Sequence, residues 1–263
     1  MADRDEKVIR QLEKRLGTGP IFLLKFCNCK RYAEDVCEGK LYANTIDYFR
    51  KIEEQDGERG QGDKNEAVLT LRSNVIKFIE NKTNREYKFY SKDDLKMKIK
   101  GDEKIPIVSF VGFTIRDMKI KDINNTNIIL KFPFTNEEYQ KEYQKMEEKF
   151  GKYCVMIWGN EFQDRLNKNE VVTNSQYVLD KVEYRELHDF ERIKAYSKPD
   201  CSRFYFKDKD LEYQREYRLI SNRELPQDHF IRIGRLDYAR IIETKKLKEE
   251  GDCINMSIEG HYE

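Results

Sequence analysis

The run from 204 to 220, FYFKDKDLEYQREYRLI, limits what this chain can fold into more than any other segment does. It predicts two strands joined by a short charged turn. Because side chains alternate along a strand, Gln214, Glu216 and Arg218 are expected to share one face of the second strand. Such a polar row either faces water or is buried, and burial requires partners or a ligand. The run therefore indicates a candidate site.

The charge of the chain is nearly balanced, which argues against a protein held mainly by phosphate contacts. There are 50 basic and 49 acidic side chains, so the net charge is +1. The tract from 82 to 100 mixes lysines with aromatic residues, but Glu86, Asp93 and Asp94 interrupt it. We therefore do not expect nucleic acid as a partner.

The longest apolar runs are far shorter than the roughly 20 residues that a membrane helix needs, and no secretory signal peptide is recognised. The six cysteines contain no Cys-x-x-Cys pair, which predicts reduced thiols in the cytoplasm. Cys27, Cys29 and Cys37 could form a zinc site with His188. Structural zinc sites pair their ligands at wider, repeated spacing, so no metal site is predicted.

The chain has helical and strand patterns but no internal repeat and no low-complexity linker, which predicts one α+β domain over 1–263, with mostly antiparallel sheets and peripheral helices. An amphipathic helix is expected within residues 1–19, and a polar tail from about 246 to 263. Further expected elements are a strand at 21–27, a helix at 30–38, a strand or a strand and turn at 40–49, a helix at 135–150 with a capping box from Thr135 to Glu138, and a helix capped by Asn160.

The glycine-rich segment from 51 to 67 has no apolar period after Ile52 and predicts a long loop. Its acidic part, 53–66, contains Asp56, Glu58, Asp63 and Glu66. Carboxylates of this kind can hold a hard cation such as Mg²⁺ or Ca²⁺. Their spacing does not match a helix-loop-helix calcium site, and a solvated acidic loop is the expected alternative.

The segment from 105 to 115, IPIVSFVGFTI, predicts a central strand because it is rich in β-branched and aromatic residues. Ser109 and Thr114 are hydroxyl side chains within this apolar run. Gly112 leaves room for a bulge or for the close approach of a ligand. The alternative is a core strand in which both hydroxyls are satisfied by neighbouring groups.

Four segments resemble, in the same order, a group of uncharacterised prokaryotic proteins found among phage and defence genes. They are IFLLKFCNCKRYAEDVCEGKLYANTIDYF, VSFVGFT, LDKVEYRE and FYFKDKDLEYQREYRLI. The group has an F-x-K motif followed by E-x-E-[WY]-R near its end. The resemblance covers roughly residues 20 to 220 and implies a protein of phage-host conflict, without implying a particular chemistry.

The early strand, helix, glycine and strand, together with Gln-x-Glu on a late strand, are similar to mono-ADP-ribosyltransferases, which split NAD and transfer ADP-ribose. This resemblance implies that Glu216 is the catalytic carboxylate and that Gln214 orients the acceptor. A carboxylate beside the ribose stabilises the positive charge that develops when the nicotinamide bond breaks. By the same resemblance, Ser109 or Thr114 supports the nicotinamide side of the NAD site.

The first strand carries Lys25 where those enzymes have Arg or His, and a lysine can contact a phosphate only as a point charge. Ser109 and Thr114 also do not form the compact Ser-Thr-Ser of those enzymes. Arg218 is either a further NAD ligand or a structural ion-pair partner of Glu216. The sequence therefore leaves open a non-enzymatic interaction protein, such as a phage-encoded inhibitor of a bacterial defence complex, and a protein partner or protein target is expected under either function.

Overall fold

The computed structural model describes residues 2–57, 60–72, 75–90, 92–124, 127–133, 137–174, 176–247, 249 and 255–259. It is a mixed α/β fold with mostly antiparallel sheets. Among the described residues, no helix is both long and apolar enough to cross a membrane. Two compact units can be distinguished, and each is described separately. The first comprises 1–44, 106–181 and 213–263, and the second comprises 45–105 and 182–212. This division leaves the single-domain interpretation of 1–263 as a prediction.

The described elements alternate between helices and short strands. The helices are α1 (Ala2–Leu16), α2 (Lys30–Cys37), α3 (Ile46–Asp56), α4 (Glu137–Phe150), α5 (Gly159–Thr173) and α6 (Phe190–Tyr196). The strands are β1 (Phe22–Cys27), β2 (Lys40–Tyr42), β3 (Asn44–Thr45), β4 (Leu69–Leu71), β5 (Val75–Glu80), β6 (Arg85–Tyr90), β7 (Leu95–Met97), β8 (Pro106–Phe113), β9 (Lys119–Ile123), β10 (Asn127–Lys131), β11 (Tyr153–Trp158), β12 (Tyr177–Lys181), β13 (Glu183–Tyr184), β14 (Phe206–Lys207), β15 (Glu216–Ser221), β16 (Phe230–Arg232), β17 (Arg240–Glu243) and β18 (Asn255–Glu259).

The main sheet of the first unit runs in the order β12, β15, β8, β1, β11, β17. The pairs that the structure describes between these neighbours are antiparallel. β8 and β1 lie at its centre, and every residue of β8 except Ser109 is buried, as expected for its apolar sequence. The prediction of a central strand at 105–115 is therefore confirmed.

The two faces of the main sheet carry separate apolar clusters because successive side chains of each strand point to opposite sides. Phe22 and Leu24 of β1 belong to one cluster, which also contains residues of α1, α4 and β10. Leu23 of β1 belongs to the other, which includes residues of α2 and α5. The first unit is thus a sheet covered on both faces.

The second unit contains α3, α6 and three two-stranded sheets, β4 with β7, β5 with β6, and β13 with β14. β13 and β14 pair in parallel. The long loop predicted over 51–67 is wrong at its start, because α3 continues to Asp56 and ends at Gly57 in the left-handed conformation. The strand, or strand and turn, predicted over 40–49 is likewise shorter than expected, since α3 begins at Ile46.

Some predicted boundaries and caps also differ from the observed ones. Trp158, and not Asn160, is the N-cap residue of α5. Thr135 lies outside the described residues, so its capping box stays a prediction. The polar tail from 246 to 263 contains a strand, because β18 pairs with β10.

Candidate functional site

Three neighbouring strands of the main sheet carry candidate residues that lie far apart in the sequence. β8 lies between β15 and β1. Ser109 is the cross-strand partner of Arg218, and Glu216 is the partner of Val111. β1 pairs with the other edge of β8, where Leu24 is the partner of Val111. Lys25 alternates with Leu24, so its side chain lies on the face of the sheet opposite Glu216.

Glu216 and Arg218 share a strand face, as their spacing predicted. Arg218 Nε donates a hydrogen bond to Glu216 Oε1 at 2.9 Å, and Ser109 Oγ donates to the same oxygen at 2.6 Å. Glu216 is 3% exposed and Arg218 is 1% exposed. Two donors on one oxygen, one of them a guanidinium, stabilise the charged carboxylate in this buried position.

Lys25 reaches the backbone of β8 from β1. Its Nζ donates to the main-chain carbonyl of Ser109 at 2.9 Å, and it lies 5.5 Å from the centre of the Phe110 ring. Burial lowers the pKa of Lys25, while Cys27 and the carboxylate of Glu216 act in the opposite direction. The side chain is half-buried, so Lys25 is more accessible than Glu216.

The chain enters β15 through a strained residue. Arg215 has a φ of 47°, and its carbonyl accepts a hydrogen bond from the Gly112 amide at 3.1 Å. Left-handed backbone is uncommon for residues other than glycine, so contacts around Arg215 must hold it. Its guanidinium forms an ion pair with Asp117 and lies 4.7 Å from the centre of the Tyr139 ring. These contacts set the direction in which the chain reaches Glu216.

Asp117 is a residue that sequence analysis missed. Its Oδ2 accepts hydrogen bonds from the Thr114 amide at 2.7 Å and the Thr114 hydroxyl at 2.9 Å. Tyr139 Oη donates to its other oxygen at 3.2 Å. The signal in the sequence was Thr114 followed three residues later by an acidic residue, which is the pattern of a capping box. Thr114 follows β8 and caps a 3-10 helix, Ile115–Asp117.

Two interpretations of the focal run are wrong. Gln214 is the last residue of a 3-10 helix, Lys209–Gln214, and therefore does not lie on the strand with Glu216. The predicted pair of strands is also replaced by the short β14, this 3-10 helix and β15. Gln214 is buried, at 5% exposure.

The space above Gly112 is filled by the protein itself. A Cβ atom at this position would lie 1.9 Å from Cδ2 of Tyr217. Gly112 therefore allows the Tyr217 ring to pack against β8, and the close approach of a ligand that the sequence suggested is instead the approach of a side chain.

The thiols near β1 are not activated in the folded chain. Burial raises the pKa of Cys27 to about 11, and burial also raises the pKa of Cys37 and of Cys154. A reactive cysteine needs a lowered pKa, so these three thiols are structural. Across the described ranges, no group of three His, Cys, Asp or Glu side chains is placed to hold a metal ion.

The acidic segment 53–66 is not the solvated loop that its composition predicted. Asp63 and Glu66 are buried in the second unit. Arg50 Nε donates to the carbonyl of Glu66 and its Nη2 to the carbonyl of Ala67, both at 2.7 Å. The side chain of Asp56 and the whole of Glu58 lie outside what the structure describes, so the alternative that they help to hold a cation is not tested.

The chemistry available in the first unit is that of a charged carboxylate and nearby cations. Glu216 can accept hydrogen bonds or face a developing positive charge, and Lys25 can contact an anion such as a phosphate. Comparisons with protein-family models, curated proteins and solved structures gave no significant match.

Proposed function

We propose that this chain is an ADP-ribosyltransferase-like protein of phage-host conflict that uses NAD to modify a macromolecular target. One observation carries the proposal. Lys25, Ser109 and Glu216 come from three adjacent strands. Lys25 Nζ donates to the main-chain carbonyl of Ser109 from one face of the sheet, and the Ser109 hydroxyl donates to Glu216 on the other face. The sequence resemblance assigned the NAD contact to Lys25, the supporting hydroxyl to Ser109 or Thr114, and the catalytic carboxylate to Glu216.

The donor set fits NAD in part. Lys25 and Ser109 are half-buried and less enclosed than Glu216, and an ammonium such as that of Lys25 suits a diphosphate. Glu216 and Arg218 are almost completely enclosed. The proposal therefore requires that Glu216 become accessible when NAD binds. Once exposed, its carboxylate would stabilise positive charge on the ribose, with Ser109 and Arg218 holding it in place.

The remaining candidates have supporting roles in this proposal. The Thr114 hydroxyl donates to Asp117, and Asp117 forms the ion pair with Arg215 just before β15. Thr114 therefore helps to hold Arg215 in position. Gln214 immediately precedes that residue and would reach an acceptor only if the end of its 3-10 helix opens. Their side chains are therefore expected to affect the target-labelling step more than NAD affinity.

The test is NAD binding by calorimetry together with NAD consumption, on the wild type and on Lys25→Ala and Glu216→Asp. Lys25→Ala should weaken binding by about tenfold, which corresponds to about 1.4 kcal/mol. Glu216→Asp keeps the charge but withdraws the carboxylate, so it should retain binding and lower consumption by about a hundredfold. Lys245→Ala is the matched control, because the Lys245 side chain is 68% exposed.

Thermal unfolding of each variant separates loss of function from loss of folding. Absence of NAD binding even at millimolar concentrations would contradict the proposal. Unchanged consumption and labelling in folded Glu216→Asp would contradict the role of this carboxylate.

A second candidate function is a non-enzymatic interaction protein that inhibits a host defence complex. The mutual pairing and burial of Glu216 and Arg218 favour it, because such a pair can be purely structural. Under this function, the chain forms a stable complex with one host protein whose affinity is independent of NAD and of Glu216→Asp. A complex that depends on NAD would count against it.

A further inference from the structure

The hairpin formed by β5 and β6 in the second unit exposes an unusual amount of apolar surface. Every side chain described between Val75 and Tyr90 is exposed. Its aromatic residues have exposed fractions of 46% for Phe78, 48% for Tyr87, 55% for Phe89 and 75% for Tyr90. A two-stranded hairpin is at best marginally stable by itself, and these rings do not stabilise it by burial. Their exposure indicates a binding surface.

The aromatic side chains are ordered by the strand pairing. Tyr87 and Phe89 are two residues apart on β6 and therefore share a face, about 7 Å apart along the strand. Phe78 is the cross-strand partner of Tyr87, and its ring meets that of Phe89 edge-on at 5.4 Å. Arg85 lies on the same face of β6. Glu80 of β5 lies directly opposite Arg85, so this face is an aromatic platform that ends in a pair of opposite charges.

The opposite face carries a pair of like charges. Lys77 lies directly opposite Lys88 in the antiparallel register. Like charges in this arrangement destabilise a strand pair, and a bound anion removes that cost. Between residues 75 and 90 there are four basic side chains, at Lys77, Lys82, Arg85 and Lys88, against the acidic Glu80 and Glu86.

Some acidic residues that argued against nucleic acid in the sequence do not lie on this hairpin. Asp93 and Asp94 follow β6 in the sequence. Oδ2 of Asp94 lies 3.2 Å from Nε2 of His188, and its Oδ1 lies 3.9 Å from Nε of Arg72. On the hairpin, Glu80 accepts a hydrogen bond from the Thr83 hydroxyl. The hairpin therefore carries a net positive charge, although the charge of the whole chain is nearly balanced.

From this arrangement we infer that the β5–β6 hairpin binds single-stranded nucleic acid. Bases stack on Tyr87 and Phe89 on one face, and the long side chains of Lys77 and Lys88 reach phosphates around the edge of the two-stranded hairpin from the other face. Stacking with phosphate contact is the combination that single strands require. The end of the hairpin is polar, Asn81 to Asn84, so it is poorly suited to entering a bilayer. Stacking and phosphate contacts do not depend on a 2′-hydroxyl, so DNA and RNA strands are expected to bind alike. The inference does not rest on NAD chemistry.

The test is fluorescence anisotropy of the full-length protein with labelled oligothymidine and oligouridine of about 15 nucleotides. Binding should weaken as salt rises from about 50 to 200 mM, with a logarithmic slope of about −2 if three phosphates are contacted. The double substitution of Tyr87→Ala with Phe89→Ala should weaken binding at least tenfold. Lys77→Gln with Lys88→Gln should make the salt slope shallower by about 1.

Matched controls come from exposed residues of the first unit. Tyr238→Ala removes a ring that is 70% exposed, and Lys30→Gln with Lys245→Gln removes two exposed charges. These variants should bind as the wild type does. Absence of binding to either strand overturns the inference, as does binding that the hairpin variants leave unchanged. Binding to anionic phospholipid vesicles or polyglutamate, with none to the oligonucleotides, overturns it in favour of a membrane or an acidic protein.

Discussion

Arg218 donates from Nε to Oε1 of Glu216 at 2.9 Å, and the two side chains are among the most buried charged groups in the described chain. Both project from the same face of β15, two residues apart. Taking two charges out of water costs several kcal/mol per ion, which their attraction offsets only when both partners are present. The free energy of unfolding of the first unit is therefore expected to fall when either partner of this pair is removed.

Glu216→Gln should destabilise the protein by about 3 to 5 kcal/mol, because it leaves the Arg218 guanidinium buried without its countercharge. Urea unfolding followed by circular dichroism measures the effect. Arg116→Gln breaks the exposed ion pair with Glu13 and should cost about 1 kcal/mol or less. A Glu216→Gln cost as small as that of Arg116→Gln would mean that the buried pair is not formed.

Gly112→Ala should destabilise the protein by about 1 to 3 kcal/mol, because the new methyl group overlaps the Tyr217 ring. Combining it with Tyr217→Ala should cost less than the sum of the two single substitutions, since removal of the ring makes room for the methyl group. Gly19→Ala is the control, because no atom lies within 4 Å of its added Cβ. Additive costs in the double variant would contradict the predicted overlap.

Gly39→Ala should be more damaging than Gly17→Ala, although both glycines have positive φ, 74° and 88°. A Cβ at Gly39 would lie 1.9 Å from the carbonyl oxygen of Gly234, whereas nothing lies within 4 Å of one at Gly17. Gly17→Ala should therefore cost about 1 to 2 kcal/mol from backbone strain alone. Gly39→Ala should lower the denaturation midpoint by more than Gly17→Ala does. Equal shifts in the midpoint would rule out the close approach between position 39 and the Gly234 carbonyl.

Tyr217→Phe should change the stability of the protein at alkaline pH. Burial raises the pKa of Tyr217 to about 12 in the folded chain. Between its unfolded pKa, about 10, and this value, the unfolded chain loses the phenolic proton first, so the wild type loses stability as pH rises. The phenylalanine variant lacks this loss, and its stability relative to the wild type should increase from pH 10 to 12. Tyr90→Phe, at an exposed position, serves as the comparison, and parallel curves for the two variants would refute the effect.

Local patterns were enough to predict several elements. β1, α2 and β8 lie within one or two residues of their expected bounds. β1 and β8 are short, nearly continuous apolar runs, and α2 is followed closely by Gly39, so local sequence marks their ends. The 3-10 helix Lys209–Gln214 was missed because its charged residues were interpreted as a turn between strands. β18 was missed because a short alternating strand in a polar tail depends on pairing with β10, which no local pattern reveals.

In the candidate site, too, some features could be predicted from local sequence and others could not. The period of a strand was sufficient to predict that Glu216 and Arg218 share a face, and their hydrogen bond agrees with it. The sequence could not place Lys25 beside Ser109, nor show that Arg215 takes a left-handed conformation held by Asp117. Nor could it distinguish the buried Asp63 from a solvated acidic residue.

By itself, the sequence determined that Glu216 and Arg218 share a strand face, because side-chain direction follows from backbone geometry over a few residues. It did not determine where that strand begins, and Gln214 lies outside it. It also determined the near-neutral charge and the mixed α/β character. Tertiary structure alone decided the order β15, β8, β1, the burial of Glu216 with Arg218, and the exposure of the β5–β6 hairpin. These depend on pairing and packing between distant segments, whose free energies are set by contacts that form only in the folded chain.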